Sequence, residues 1–288
     1  MKVCEIPIYK RQRFLLTFIS QLPDNGIKSI HLQELVFLNL MDTGETYYEF
    51  IPYKNGPYSF QLTEDINTLI RDGYVSMNAE GGLYAGKPYI YRSLDIASER
   101  GSALAKRVWK CNPYYAINGE INVNVFSDSE LQMIVEERAK FKRNQQVLFT
   151  IGYEGRTIEQ FINMLIKNDV KLVCDVRKNP ISRKFGFSKN KLKSLLKVMN
   201  IDYYHIPELG IPSEKRTSLC SKHDYDKLFL EYSKSIDEKR IYINRVYSLL
   251  DKNLRIALMC YEQDSEMCHR HIIRDYMEKW FMIRSIDL

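Results

Sequence analysis

The sequence predicts a two-domain α/β protein in which a mainly parallel sheet with flanking helices follows a smaller α+β domain. Three observations lead there. The chain has 288 residues, about twice the usual single-domain length. From Val147 onward, short apolar runs alternate with amphipathic stretches, the pattern of a parallel sheet covered on both faces. Before that point the order is different, with helical spacings first and a hairpin after them. A hydrophobic fraction of 45% against 27% charged residues lets each half bury its own core.

The first domain is expected over residues 1–125. Arg13–Leu22 carries Leu15, Leu16, Phe18 and Ile19, and Leu32–Leu40 carries Leu32, Leu35, Val36 and Leu40, both at helical spacing. Phe50–Tyr58 is aromatic and broken by turn residues. Ser59 is placed to cap a third helix whose stripe is Leu62, Ile66, Leu69 and Ile70, and Asp72-Gly73 ends it. Val75–Met77 and Leu83–Tyr91 then pair across Glu80-Gly81-Gly82. Three helices and a hairpin resemble a winged helix, and "YKNGPYSFQL" is similar to the segment before the third helix in such domains. That resemblance implies a DNA-reading third helix. The helix carries Glu64 and Asp65 with Arg71 as its single base, which suits phosphate contact poorly. Protein contact through this domain, including a homodimer, or a structural role is therefore expected ahead of direct DNA reading. Residues 94–110 are read as helical, and so are residues 128–142, where the charge is dense; residues 126–146 form the expected helical connector.

The second domain is expected over 147–288. Strands are predicted at Val147–Ile151, Lys171–Val176, Tyr203–Ile206 and Arg255–Cys260. Helices are predicted at Ile158–Lys167, Asn190–Met199, Asp224–Leu250 and from about Cys268 to Trp280. Open parallel sheets bind ligands beyond the carboxyl ends of their strands. Four polar clusters fall there: Gly152-Tyr153-Glu154-Gly155-Arg156, then Asp175-Val176-Arg177-Lys178 running on to Ser182-Arg183, then His205 to Gly210, then Cys260-Tyr261-Glu262 with Cys268-His269-Arg270.

The strings "TIGYEGRTIEQFI", "VCDVRKNPISRKFGFSK", "YYHIPELGIP" and "ALMCYEQDSEMCHRHII" occur in the order and at roughly the spacing of the domain of unknown function 488 family, which this half resembles. The resemblance implies a Rossmann-like fold and a shared polar site over about residues 148–280. It implies no reaction.

Charge says what that site would hold. Residues 1–146 carry 17 basic and 17 acidic groups, so the net charge of +6 lies wholly in the second half. Between Asp175 and Asp202 there is no acidic residue, yet Arg177, Lys178, Arg183, Lys184, Lys189, Lys191, Lys193 and Lys197 occur. A phosphate-bearing partner, nucleotide or nucleic acid, is the chemical expectation. A solvated basic helix face explains Lys189–Lys197 equally well. Gly152, Tyr153 and Glu154 open the expected ligand loop, its glycine giving either a tight turn or close backbone approach. Asp175 and Arg177 are expected on opposite faces of the strand end, and Arg177, Arg183 and Arg270 to converge on phosphate, against a surface salt-bridge network. Glu262, then Glu208 beside His205, and Asp175 are the candidates for acid, base or nucleophile.

The six cysteines, Cys4, Cys111, Cys174, Cys220, Cys260 and Cys268, form no CxxC pair and are expected as reduced thiols. Cys260, Cys268, His269 and His205 invite a metal, but adjacent Cys268 and His269 are awkward ligands for one tetrahedral site, and no metal or cofactor is expected. Cys268 is expected first as a packed cap holding the last helix to the sheet; a reactive thiol, its thiolate favoured before a helix and beside His269-Arg270, is the alternative. Position 266 is Glu, so the Cys-x5-Arg loop of a thiol phosphatase is missing. No apolar run approaches the ~18 residues of a membrane span, and no signal peptide is visible, so the expected location is the cytoplasm without membrane contact. Three functions stay open: a hydrolase or transferase acting on a nucleotide or nucleic acid, a non-catalytic DNA-binding or effector-sensing regulator, and an interaction scaffold.

Overall fold

The computed structural model describes residue 7 and residues 9–23, 26–120, 126–216 and 222–288; Cys4 and Cys220 lie outside them. The chain divides into two compact units, Met1–Lys140 and Phe141–Leu288. Among the described residues no helix is long and apolar enough to cross a membrane.

The first unit runs α1 (Lys10–Ser20), β1 (Ile27–Lys28), α2 (Ser29–Thr43), β2 (Ile51–Tyr53), β3 (Gly56–Tyr58), α3 (Phe60–Arg71), β4 (Val75–Met77), β5 (Gly82–Ala85), α4 (Gly101–Cys111) and α5 (Asp128–Ala139). Its antiparallel sheet has the order β1-β5-β4. Ser59 caps α3 as the sequence predicts, its Oγ accepting from the Leu62 amide at 3.1 Å. Phe50–Tyr58 is itself a hairpin, with Pro52 opposite Pro57. Asp65 does not project from α3 into solvent. It is buried, with Arg11 Nε at 2.6 Å, Gln12 Nε2 at 3.1 Å and the Tyr48 hydroxyl at 3.0 Å. Helix α5 packs into this unit: Ile134 is buried, and Arg138 donates to the carbonyls of Ile117 and Gly119.

Glu34 on α2 is also buried, and that burial raises its pKa to about 7. The folded unit therefore holds this proton more tightly than the unfolded chain, whose glutamates ionise in the ordinary carboxylate range. Its stability contribution is full below that range and falls as pH rises, the loss being complete above about 7. Urea unfolding across that window should show this decline, and Glu34→Gln should flatten it.

The second unit runs β6 (Val147–Gly152), α6 (Ile158–Lys167), β7 (Leu172–Asp175), α7 (Lys189–Val198), β8 (Asp202–His205), α8 (Lys222–Lys234), α9 (Arg240–Asn253), β9 (Arg255–Cys260), α10 (Arg270–Phe281) and β10 (Ser285–Asp287). The five strands form one sheet of order β10-β6-β9-β7-β8, and every pairing is parallel. Strands β6 and β9 are buried at every residue, which is why they read as mainly apolar runs rather than alternating ones, with Thr150 and Arg255 as the polar exceptions. One core face gathers Cys174, Leu258 and Leu148 against Ile243, Val246 and Leu250 of α9 and Ile273 and Met277 of α10. Helix α6 starts at a capping box in which Thr157 Oγ1 accepts from the Gln160 amide and Gln160 Oε1 accepts from the Thr157 amide. This topology brings the carboxyl ends of β6, β9, β7 and β8 side by side.

Candidate functional site

A cleft of about 330 Å³ opens at those strand ends. Its lining comes from all four: Tyr153 after β6, Arg177–Asn179 and Ile181–Arg183 after β7, Ile211 after β8, and Cys260-Tyr261 at the end of β9. Lys178, Asn179 and Arg183 are exposed in it.

The wall behind is a buried charge pair. Asp175 and Arg177 do not point to opposite faces as the sequence analysis expects. Residues two apart on a strand share a face, and here the guanidinium grips the carboxylate, Nε to Oδ1 at 2.8 Å and Nη2 to Oδ2 at 2.6 Å. The Arg177 amide donates to Oδ1 at 3.1 Å, and the Tyr203 hydroxyl donates to Oδ2 at 2.6 Å. Nη1 reaches the Tyr153 hydroxyl at 3.0 Å and the Phe187 carbonyl at 2.9 Å. The Tyr153 ring stacks on Phe187, with Arg177 over it. Burial alone would lower the Arg177 pKa, but the hydrogen bonds and charge of Asp175 outweigh it and push it up. Burial and the Asp175 charge likewise raise Tyr203, so its proton stays on to be donated. Asp175 is therefore saturated by protein donors, and Arg177 presents a neutralised charge.

Arg270 is committed as well. It is fully buried, donating from Nη1 to the Glu262 carbonyl at 2.6 Å, from Nη2 to the Gln263 carbonyl at 2.9 Å and from Nε to Thr150 Oγ1 at 3.2 Å. It clamps the loop after β9 against β6. Gly152 lets that loop come close, since a Cβ there would sit 1.7 Å from the Glu262 carbonyl oxygen. The amides of Tyr153 and Glu154 both donate to the Tyr261 carbonyl, at 3.0 and 2.8 Å. Glu154 is exposed and accepts from the Gln263 amide at 3.2 Å. Of the three arginines expected to converge on phosphate, Arg183 alone has its side chain exposed.

His205 is a brace. Its Nε2–H donates to the Arg177 carbonyl at 2.9 Å, and its Nδ1 accepts from Lys189 Nζ at 3.1 Å. Glu208 lies in the short helical turn Pro207–Leu209, half-buried, and its carbonyl takes the Lys239 ammonium. Gly210 closes this turn onto the β7 loop, a Cβ there falling 2.2 Å from the Lys178 nitrogen. Lys184 donates to the Tyr153 carbonyl at 3.1 Å, and burial lowers its pKa against the raising influence of Glu154.

The floor holds the sulfurs. Cys260, Cys268 and His269 are buried, with His269 Nδ1 3.9 Å from Cys260 Sγ and 3.8 Å from Cys268 Sγ. His269 Nε2–H donates to the Val176 carbonyl at 3.2 Å. Glu262 is half-buried, and its Oε2 accepts from Cys260 Sγ at 3.3 Å. The alternative reading of Cys268 as a reactive thiolate is disfavoured. Burial, then the hydrogen bond and charge of Cys260 and the charge of Glu262, raise its pKa well above the ordinary thiol value, and Arg270 offsets only part of this.

Tyr203, Thr150 and Asp287 are site-supporting residues that the sequence reading does not single out. Asp287 on β10 accepts from Thr150 Oγ1 at 2.6 Å and Ser265 Oγ at 2.8 Å, and pairs with Arg274. Burial would raise its pKa, but these hydrogen bonds and the charges of Arg274 and Arg270 lower it. A larger hollow of about 960 Å³ is lined by residues of α8, α10 and the loop before α10. Its lining includes Asp226, Asp264, Glu266 and Asp275, the wrong sign for an anion.

No curated protein and no solved structure matches the chain. Residues 157–277 match one family, described as "Domain of unknown function DUF488". The match takes in the Asp175–Arg177 pair, the basic loop, Glu262 and the Cys268-His269-Arg270 run, and begins after the Gly152–Arg156 loop. The C-terminal half of this protein thus carries the domain of unknown function DUF488.

Proposed function

We propose that the second unit binds a nucleotide, or the phosphates of a nucleic acid, in the strand-end cleft. The observation that carries this reading is the composition of the cleft. Exposed Lys178 and Arg183 supply positive charge that no carboxylate in the lining offsets, with Asn179 and Ser182 as further polar partners. Exposed Tyr261 and Ile181 offer planar and apolar surface to a base. Arg177 and Arg270 hold the walls at the spacing this needs, so phosphate affinity rests on Arg183 and Lys178.

Glu262 beside the floor is the acid–base candidate for a hydrolase or transferase reaction at that ligand. The reading is tested by calorimetric titration with ADP and by turnover assays on nucleotides. Arg183→Ala and Lys178→Ala should each weaken ADP binding about tenfold, the scale of one charge-assisted contact, and flatten its salt dependence. Glu262→Gln should keep binding and lose turnover. Unchanged affinity in both basic variants would reject the cleft as the site. Retained turnover in Glu262→Gln would remove its catalytic role.

A second reading has its own support. In the first unit the β4–β5 hairpin follows α3 and pairs with β1, which lies between α1 and α2; this order supports a winged-helix regulator whose second unit senses an effector. Binding of ADP with no turnover of any nucleotide, together with salt-dependent duplex binding by the first unit, is its signature.

A further inference from the structure

We propose that Cys260, Cys268 and His269 form a zinc-class metal site beneath the cleft. Cys260 ends β9, and Cys268 and His269 immediately precede α10, so the turn between strand and helix folds three donors onto one point. The two sulfurs and the imidazole Nδ1 all lie within 4.8 Å of one another, and each sulfur stands 3.8–3.9 Å from Nδ1. With Zn–S near 2.3 Å and Zn–N near 2.0 Å, a tetrahedral ion sets sulfur and nitrogen about 3.5 Å apart. A contraction of a few tenths of an ångström brings each sulfur–nitrogen pair to that spacing. Chain adjacency is then no obstacle, because the side chains of Cys268 and His269 already meet.

The imidazole is set up as a ligand. Its Nε2–H is given to the Val176 carbonyl, which fixes the tautomer and leaves the Nδ1 lone pair facing both sulfurs. Two soft sulfurs and an imidazole suit zinc and not magnesium or calcium. Binding releases the two thiol protons to solvent, and the two thiolates then cancel the charge of a divalent ion, so the buried site is neutral overall. Glu262 Oε2 lies 3.3 Å from Cys260 Sγ but outside the three-donor cluster, so a water would complete the tetrahedron. Cys260 also lines the cleft, so such an ion would lie next to the bound ligand. The site stands independently of nucleotide binding.

The test is a cobalt(II) titration of the reduced full-length protein, read by thiolate-to-cobalt charge-transfer absorption. The signal should saturate at about one equivalent per chain and be bleached by zinc. Cys268→Ser and His269→Gln, with the other cysteines kept and folding verified by circular dichroism, should lose that intensity. In chelator competition they should bind zinc at least about tenfold more weakly. Should Cys268→Ser fail to fold, His269→Gln, which can still donate to Val176, decides the matter alone. No charge-transfer band in the wild type, or the same band in the folded variants, would overturn the site.

Discussion

Asp175→Asn is expected to lower the stability of the second unit by about 3–5 kcal/mol, the usual cost of removing one partner from a buried ion pair. Asp175 is fully buried, and four donors converge on it: Arg177 Nε and Nη2, the Arg177 amide and the Tyr203 hydroxyl. The amide side chain keeps the shape but loses the charge, and it turns one acceptor into a donor facing donors. The larger part of the cost is the Arg177 guanidinium left buried without its counter-charge. Urea unfolding read from Trp280, the one tryptophan of this unit, in a Trp109→Phe background isolates the effect. The paired change Asp175→Leu with Arg177→Met should recover part of the loss, because it removes both charges together. Recovery stays incomplete, since Arg177 also serves the Phe187 carbonyl and the Tyr153 hydroxyl. A loss below about 1 kcal/mol would mean the pair behaves as a solvated surface bridge.

Gly152→Ala should cost about 1–3 kcal/mol by overpacking and take ADP binding with it. The added carbon would meet the Glu262 carbonyl oxygen at 1.7 Å and its carbon at 2.5 Å. These are backbone atoms, so no rotamer change relieves the clash. The loop cannot step back freely either, because Arg270 holds the Glu262 and Gln263 carbonyls and the Tyr153 and Glu154 amides hold the Tyr261 carbonyl. Moving it displaces Tyr261 and Cys260, two cleft residues. Gly155→Ala is the control. Gly155 has φ +71°, and its added carbon would meet the Gln263 side chain at 3.4 Å, so only a backbone cost of about 1 kcal/mol is expected. Equal effects from the two substitutions would remove the close approach as the reason for Gly152.

Strands β6, β7 and β9 of the second unit were legible because they are buried at every residue. Val147–Gly152 and Arg255–Cys260 read as apolar runs, and Thr157-x-x-Gln160 marks the start of α6. Strand β10 was not, because Ser285-Ile286-Asp287 offers one apolar residue and exists through parallel pairing with β6. The β2–β3 hairpin hid behind Pro52 and Pro57, which a paired strand rarely admits.

At the site, the rule that ligands gather at strand ends pointed to where the cleft opens, whereas charge alone could not tell the buried arginines from the exposed one. Arg177, Arg183 and Arg270 are equivalent in sequence, but partners distant along the chain divide them: Thr150 is 120 residues from Arg270. The spacing Asp175-x-Arg177 already placed both side chains on one face, so their pairing was readable from strand geometry. Tyr203 was not, since β8 reaches β7 only through the sheet register that sets Asp175 opposite His205.

The most direct test of the nucleotide cleft is hydrogen–deuterium exchange of the full chain with and without saturating ADP. The account predicts slowed exchange in residues 176–183 and 260–263, with the protection lost in the Arg183→Ala, Lys178→Ala double variant. Protection confined to residues outside these two segments, or none at a concentration where calorimetry shows binding, would contradict it.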